Sequence, residues 1–135
     1  MNVMRGNEVE NSAPVPGMAE YAVGAKAGAR GVWLAHVTTP PGSGISPVHH
    51  HCESEALMHV LSGTLSIIHG PELRDRIDLG PGDFLFIPPF TLHAETNLGP
   101  EPAELVMARS TPEPIAEWHP ELNVSESVLA AAVPG

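Results

Sequence analysis

Residues 47–55 read PVHHHCESE: three consecutive imidazoles, one thiol and two carboxylates within nine positions. Imidazole and carboxylate together suit a borderline divalent metal. In an extended segment, residues two apart share a face. His49 and His51 therefore point the same way and His50 points away. A short turn through Cys52, Glu53 and Ser54 then delivers Glu55 to the start of the following strand. A fourth donor has to come from a distant segment, and the best placed is His93, just after the apolar run FLFIPPF. A histidine loop in solvent is the plain alternative for the triplet alone. Its context argues for a metal: a glycine turn before it, a glutamate at short spacing after it, and one further histidine behind a Gly-Asp-strand-Pro segment.

The elements that must hold these groups are short and extended. GVWLAHVTT (31–39), ALMHVLS (56–62), TLSIIH (64–69), LRDRIDL (73–79), FLFI (84–87), 91–97 and 103–110 are strand-like, separated by PPGSG, Gly63, Gly-Pro-Gly-Asp and Pro-Pro turn signals. Turns recurring every ~8–12 residues suggest a sandwich or barrel. FLFI is continuous and apolar, so it is expected to be buried on both faces. Residues 1–19 read as an N-terminal arm, 20–111 as the barrel and 112–135 as a proline-rich tail anchored by Trp118. The last residues, SVLAAAVPG, read as a short helix or a disordered end.

Composition narrows the partners. The chain has 135 residues, enough for one domain, with 42% hydrophobic and only 16% charged residues. Six basic against sixteen acidic residues give a net charge of −10. Phosphate binding needs clustered Lys and Arg, so nucleic acid and anionic membranes are not expected partners. One cysteine, Cys52, permits no intrachain disulfide. No leader or membrane-spanning stretch is evident, so a cytoplasmic location is the expectation.

These residues resemble the two motifs of small single-domain cupins, G-x5-H-x-H-x3-4-E-x6-G and G-x5-P-x-G-x2-H-x3-N. His49-x-His51 is followed by three residues and Glu55. Gly82, Pro88, His93 and Asn97 stand at the spacings of the second motif. The departures are Phe90 in place of glycine, seven residues rather than six between Glu55 and Gly63, and Gly44 one residue too close to His49. The resemblance spans roughly residues 30 to 110. It implies an all-β, double-stranded β-helix barrel of mostly antiparallel, jelly-roll-like strands. It also implies one divalent metal held by His49, His51, Glu55 and His93. Iron(II) is favoured; manganese, nickel, copper, cobalt and zinc also serve in the family. Four protein ligands on a six-coordinate metal leave two positions open for substrate, water or dioxygen. Such barrels often pair through sheet edges, so a homodimer is expected.

Further residues fall near this set. If the strand from Glu55 is regular, His59 shares the inward face as a hydrogen-bond partner of a metal ligand, an acid–base group or an extra ligand; a core or outward histidine is equally compatible. His36, Phe84 and Phe86 are candidates for a substrate pocket, with ordinary core packing as the alternative for the two phenylalanines. Cys52 reads as a loop thiol, with contact to the metal or oxidation as the alternative, and Arg74, Arg76 and Arg109 as surface ion-pair partners, with pairing to a carboxylate substrate as the alternative. The expected activity is a metal-dependent oxygenase or dioxygenase acting on a small, fairly apolar molecule. The alternatives are a non-redox isomerase, decarboxylase or lyase, and a non-catalytic binding module.

Overall fold

The computed structural model describes residues 1–130. Ten strands and one short helix follow one another: β1 (Ala19–Val23), β2 (Trp33–Thr39), β3 (His49–His50), β4 (Ala56–Ser62), β5 (Leu65–His69), β6 (Asp75–Leu79), β7 (Phe84–Ile87), β8 (Ala94–Thr96), β9 (Ala103–Arg109), β10 (Glu117–Trp118) and α1 (Glu126–Leu129). All strand pairings are antiparallel. A five-stranded sheet has the order β1-β2-β9-β4-β7, a three-stranded sheet the order β6-β5-β8, and β10 pairs with β3.

The core lies between the two larger sheets. Alternation along β2, β4 and β9 turns Ala35, Val37, Met58, Val60, Leu105 and Met107 inward, where they meet Leu65 and Ile67 of β5. Each of the larger side chains contributes about 1.5–3 kcal/mol on burial. A second, smaller cluster sits behind the three-stranded sheet. There Val48, Ile68, Leu73 and Ala94 are covered by Val124, Val128 and Leu129 of the tail, and Arg76 donates to the Val128 carbonyl at 3.0 Å. The tail therefore forms a cover for that face. Of the expected end segment, 127–129 is helical, and 131–135 lies outside the described residues.

Two motif residues are architectural. Gly63, at φ 73°, closes the β4–β5 hairpin against the 102–103 backbone; a Cβ there would collide with the Pro102 carbonyl. Asn97 is buried and donates to the carbonyls of Thr39 and Glu101 while accepting from the Gly99 N–H, pinning the β8–β9 connection to the end of β2.

The expectation for FLFI is corrected. β7 is an edge strand, and while Ile87 is buried, Phe84 and Phe86 are 73% and 50% exposed on the outer face. An antiparallel sheet can pack on one face and leave the other to solvent, so a continuous apolar run need not mean burial on both sides.

Phe90, where the related motif has glycine, adopts φ 55°. Its N–H donates to the Cys52 carbonyl at 2.8 Å, and its ring is exposed. A bulky residue in the left-handed region costs about 1–2 kcal/mol, part of which glycine returns through its larger unfolded-state entropy. Phe90→Gly is therefore expected to stabilise the fold by roughly 0.5–1 kcal/mol, read as a higher urea midpoint. A lower midpoint would show that the ring contributes more by packing than the backbone loses.

Candidate metal centre

Two distant segments meet through the backbone. His49 and His93 form an isolated antiparallel bridge: the His49 N–H donates to the His93 carbonyl at 3.0 Å and the His93 N–H returns to His49 at 2.9 Å. That places two imidazoles side by side, with ring centroids 4.4 Å apart. Strand alternation adds His51, with centroids 4.9 Å from His49 and 5.0 Å from His93. All three rings are buried, and their ligand atoms lie within 4.8 Å of one another. His50 turns away, as alternation requires, to meet Glu117 at 2.7 Å.

The tautomers can be read from fixed partners. His49 Nδ1–H donates to the Pro47 carbonyl and His93 Nδ1–H to the Thr91 carbonyl, each at 2.8 Å. In a neutral ring this leaves the Nε2 lone pair free, the form in which imidazole binds metals. His93 Nε2 is buried and has no hydrogen-bond partner among the described residues. A buried lone pair without a donor is costly unless a cation or proton meets it. These residues therefore fit a metal ion.

His51 differs. Arg109 Nη1 donates to His51 Nδ1 at 2.7 Å. A guanidinium can only donate, so Nδ1 accepts and the proton of the neutral ring sits on Nε2. That Nε2 is also buried and without a partner among the described residues. Burial, then the Arg109 cation, then the neighbouring imidazoles lower the pKa of His51 to about 3. Burial likewise lowers His49.

The carboxylate that lies beside the three imidazoles is Glu95; Glu55 is placed elsewhere. Glu95 Oε1 lies 3.6 Å from His93 Nε2, and its side chain is mostly buried. Burial alone would raise its pKa; the contact with His93 and the surrounding imidazoles outweigh this and hold it below the usual carboxylate range. Glu55 is exposed, and its N–H is taken by the Ser110 hydroxyl at 2.9 Å. The parity changes in the turn before β4, where Cys52 adopts φ 54°. Beyond it the inward residues are Ala56, Met58 and Val60, so 55, 57 and 59 face outward. His59 consequently lies outside the barrel, stacked on Phe84 with centroids 4.0 Å apart. The register shift between Val60 and Ser62 comes after His59 and does not restore it. His36 is also on the outer face, 3.6 Å from Glu104. None of His36, His59, Phe84 and Phe86 lines the histidine cavity.

That cavity, of about 280 Å³, is lined by His49, His51, Glu95 and Arg109, with Met18 of the arm and Trp118 of the tail among its apolar walls. Trp118 reaches it because β10 pairs with β3, and its ring lies 4.5 Å from that of His49. Glu95 carried a signal in the sequence: His93-x-Glu95 has the same spacing as His49-x-His51, so the two share a face. Arg109 is buried, its guanidinium 4.9 Å over the Trp33 ring. Its role depended on which strand end met the histidines, which spacing does not reveal.

A second group, His50, Glu117 and His119, is already satisfied by protons. The Cys52 N–H donates to His50 Nδ1 at 3.0 Å, so Nε2–H donates to Glu117. His119 bridges Glu117 and Glu121 at 3.0 Å each.

A model of the cupin domain matches residues 35–109. The chain belongs to the cupin family. Among solved structures, this cupin is similar to the polyketide cyclase RemF of Streptomyces resistomycificus (21% identity, TM-score 0.71, covering 96% of this chain and 90% of that one). It is also similar to a Klebsiella pneumoniae protein with a double-stranded β-helix domain (17%, TM-score 0.66, 86% and 95%). A third is the oxalate decarboxylase of Lactobacillus farciminis (21%, TM-score 0.70, 83% of this chain), of which the chain spans about a third, 34%. At these identities the likeness is one of fold. The comparison with curated proteins finds no match. No helix among the described residues is long and apolar enough to cross a membrane.

The depressed pKa of His51 fixes a sign. Between its unfolded value near 6.5 and about 3, the unfolded chain binds the proton and the folded chain does not, so stability falls as pH drops through that window. Glu95, depressed in the folded state, adds its own loss only below its unfolded value of 4.5. For metal-free protein, the urea midpoint is expected to fall from pH 7 to pH 5, and His51→Gln to flatten that slope. An unchanged slope would mean that His51 is not held neutral.

Proposed function

We propose that this cupin is a metal-dependent enzyme, an oxygenase acting on a small, largely apolar organic molecule that carries one group able to reach the metal. The observation that carries the reading is the buried, ligand-ready pair His49 and His93 beside the anionic Glu95. Two imidazoles and one carboxylate with other positions open is the donor set suited to non-haem iron(II). When bound, iron(II) supplies adjacent open positions for substrate and dioxygen and the electrons for their reaction. His49 and His93 would hold it through Nε2, each oriented by a carbonyl behind its Nδ1. Glu95 would supply the negative charge. His51 joins as a ligand only when Arg109 releases its Nδ1; until then its Nε2–H is a donor beside the metal. Met18, Met107 and Trp118 would hold the apolar body of the substrate and exclude water. A homodimer in the cytoplasm is the proposed working form.

A non-redox reading, with the metal as a Lewis acid, is favoured by the near full-length likeness to a polyketide cyclase. Dioxygen uptake during turnover separates the two.

Elemental analysis of untagged protein is expected to find near-stoichiometric iron in wild type. His49→Ala, His93→Ala and Glu95→Gln should lose most of it, and Glu55→Gln and His50→Ala should keep it. Equal loss from Glu55→Gln and Glu95→Gln would overturn the carboxylate assignment. Absence of metal that reconstitution does not restore would overturn the enzyme reading.

The Arg109 cation opposes a metal cation at the same imidazole. Arg109→Met, which keeps the stem packed on Trp33 and frees His51 Nδ1, is expected to tighten metal binding by about 10-fold or more, measured by chelator competition. Weaker binding would show that the guanidinium supports the site.

A further inference from the structure

β7 is one edge of the five-stranded sheet and β6 one edge of the three-stranded sheet, and no strand pairing among the described residues joins them. Side chains alone close that seam. Leu85 of β7 and Ile77 of β6 pack against the core there but are only partly buried. Both line a second pocket, of about 270 Å³. The exposed Phe86 and Pro88 form its rim. The buried Ile67, Ile87 and His93 form its floor.

This pocket shares no lining residue with the histidine cavity. His49 and His51 face the cavity and His93 faces the pocket, so the three imidazoles form the wall between the two. Their linings differ in chemistry. The cavity offers Glu20, Glu95 and Arg109, groups that can hold a polar part of an organic molecule. The pocket has no carboxylate, lysine or arginine, and its polar side chains are His69, Thr91 and His93. The Thr91 hydroxyl donates to the Pro89 carbonyl at 3.4 Å, and the His93 Nδ1–H is taken by the Thr91 carbonyl. A water molecule needs about two to four polar partners to be held in such a place, whereas an apolar lining takes up small uncharged molecules. A molecule seated in the cavity closes that way to the metal position. An oxygenase still has to bring a second reactant to the same place.

We propose that the seam pocket between β6 and β7 is the dioxygen site of this cupin, from which the gas reaches the metal position past His93 while the organic substrate occupies the histidine cavity. The inference rests on the oxygenase reading above. Dioxygen is small, uncharged and apolar, as the lining requires, and His93 is the only member of the histidine group that the pocket touches. Leu85 lies between the exposed rim and the buried floor, so its size sets the width of the passage.

Two measurements test it, one of them without metal. In methyl NMR of metal-free protein, xenon under pressure is expected to shift the Ile67, Ile77 and Ile87 signals. It should spare Ile68, which lies on the opposite face of β5 in the other core cluster. Leu85→Trp, which fills the pocket, should abolish the shift, and Leu85→Phe provides the same test with less change to the packing. In iron(II)-loaded protein, the association rate of nitric oxide, a diatomic stand-in for dioxygen, should fall by about 10-fold or more in Leu85→Trp and rise in Leu85→Ala. Opposite signs at one position separate access from loss of folding. No xenon shift at Ile67, or an equal shift at Ile68, overturns the pocket. Nitric oxide rates that neither Leu85→Trp nor Leu85→Ala moves overturn the route past His93. A wild-type chain that takes up no iron overturns the oxygenase reading and the route with it, and the xenon shift still decides the pocket.

Discussion

The reciprocal backbone bridge between His49 and His93 is the constraint on which the centre depends. Its two hydrogen bonds fix the spacing of two residues 44 positions apart, and everything at the site is counted from them. His51 follows by alternation from His49, and Glu95 by alternation from His93. The Pro47 and Thr91 carbonyls that orient the rings each sit two residues before the histidine they hold. The same local backbone device serves both motifs, so the free Nε2 atoms need no distant side chain to aim them.

Burial then decides the electrostatics. Burial makes His49 and His51 resist protonation, and the Arg109 cation reinforces this at His51. Glu95 is held in its charged form in spite of burial, chiefly by its contact with His93. Arg109 and Glu95 are thus opposite charges sharing one desolvated space without a direct ion pair among the contacts described. Each is held by neutral or aromatic neighbours: Arg109 by Trp33, Met107 and the Ile115 carbonyl.

The elements outside the two motifs finish the molecule unequally. The N-terminal arm and the tail both come to the mouth of the cavity, and the tail goes on to seal the three-stranded sheet. The outer side of the five-stranded sheet keeps Leu34, Leu57, Phe84 and Phe86 exposed among the described residues. Phe84 and Phe86, adjacent on an edge strand, are therefore left as surface, while their neighbour Ile87 is core.

Strand and turn composition, the His-x-His spacing and the second motif were enough to identify an all-β cupin and to bring His49, His51 and His93 to one place, because alternation and turn chemistry are local. The side on which Glu55 and His59 would lie was not legible. It depended on one turn at Cys52 whose left-handed backbone shifts parity, and a one-residue slip moves every later side chain of a strand to the opposite face. Glu95 was legible in principle, by the spacing that paired the first two histidines. Arg109, Trp118 and Met18 were not, since only the packing of β9, β10 and the arm around one cavity makes them neighbours. Whether Phe84 and Phe86 were core or surface also rested on tertiary structure: their alternation is the same in either case, and only the packing of the described residues leaves them exposed.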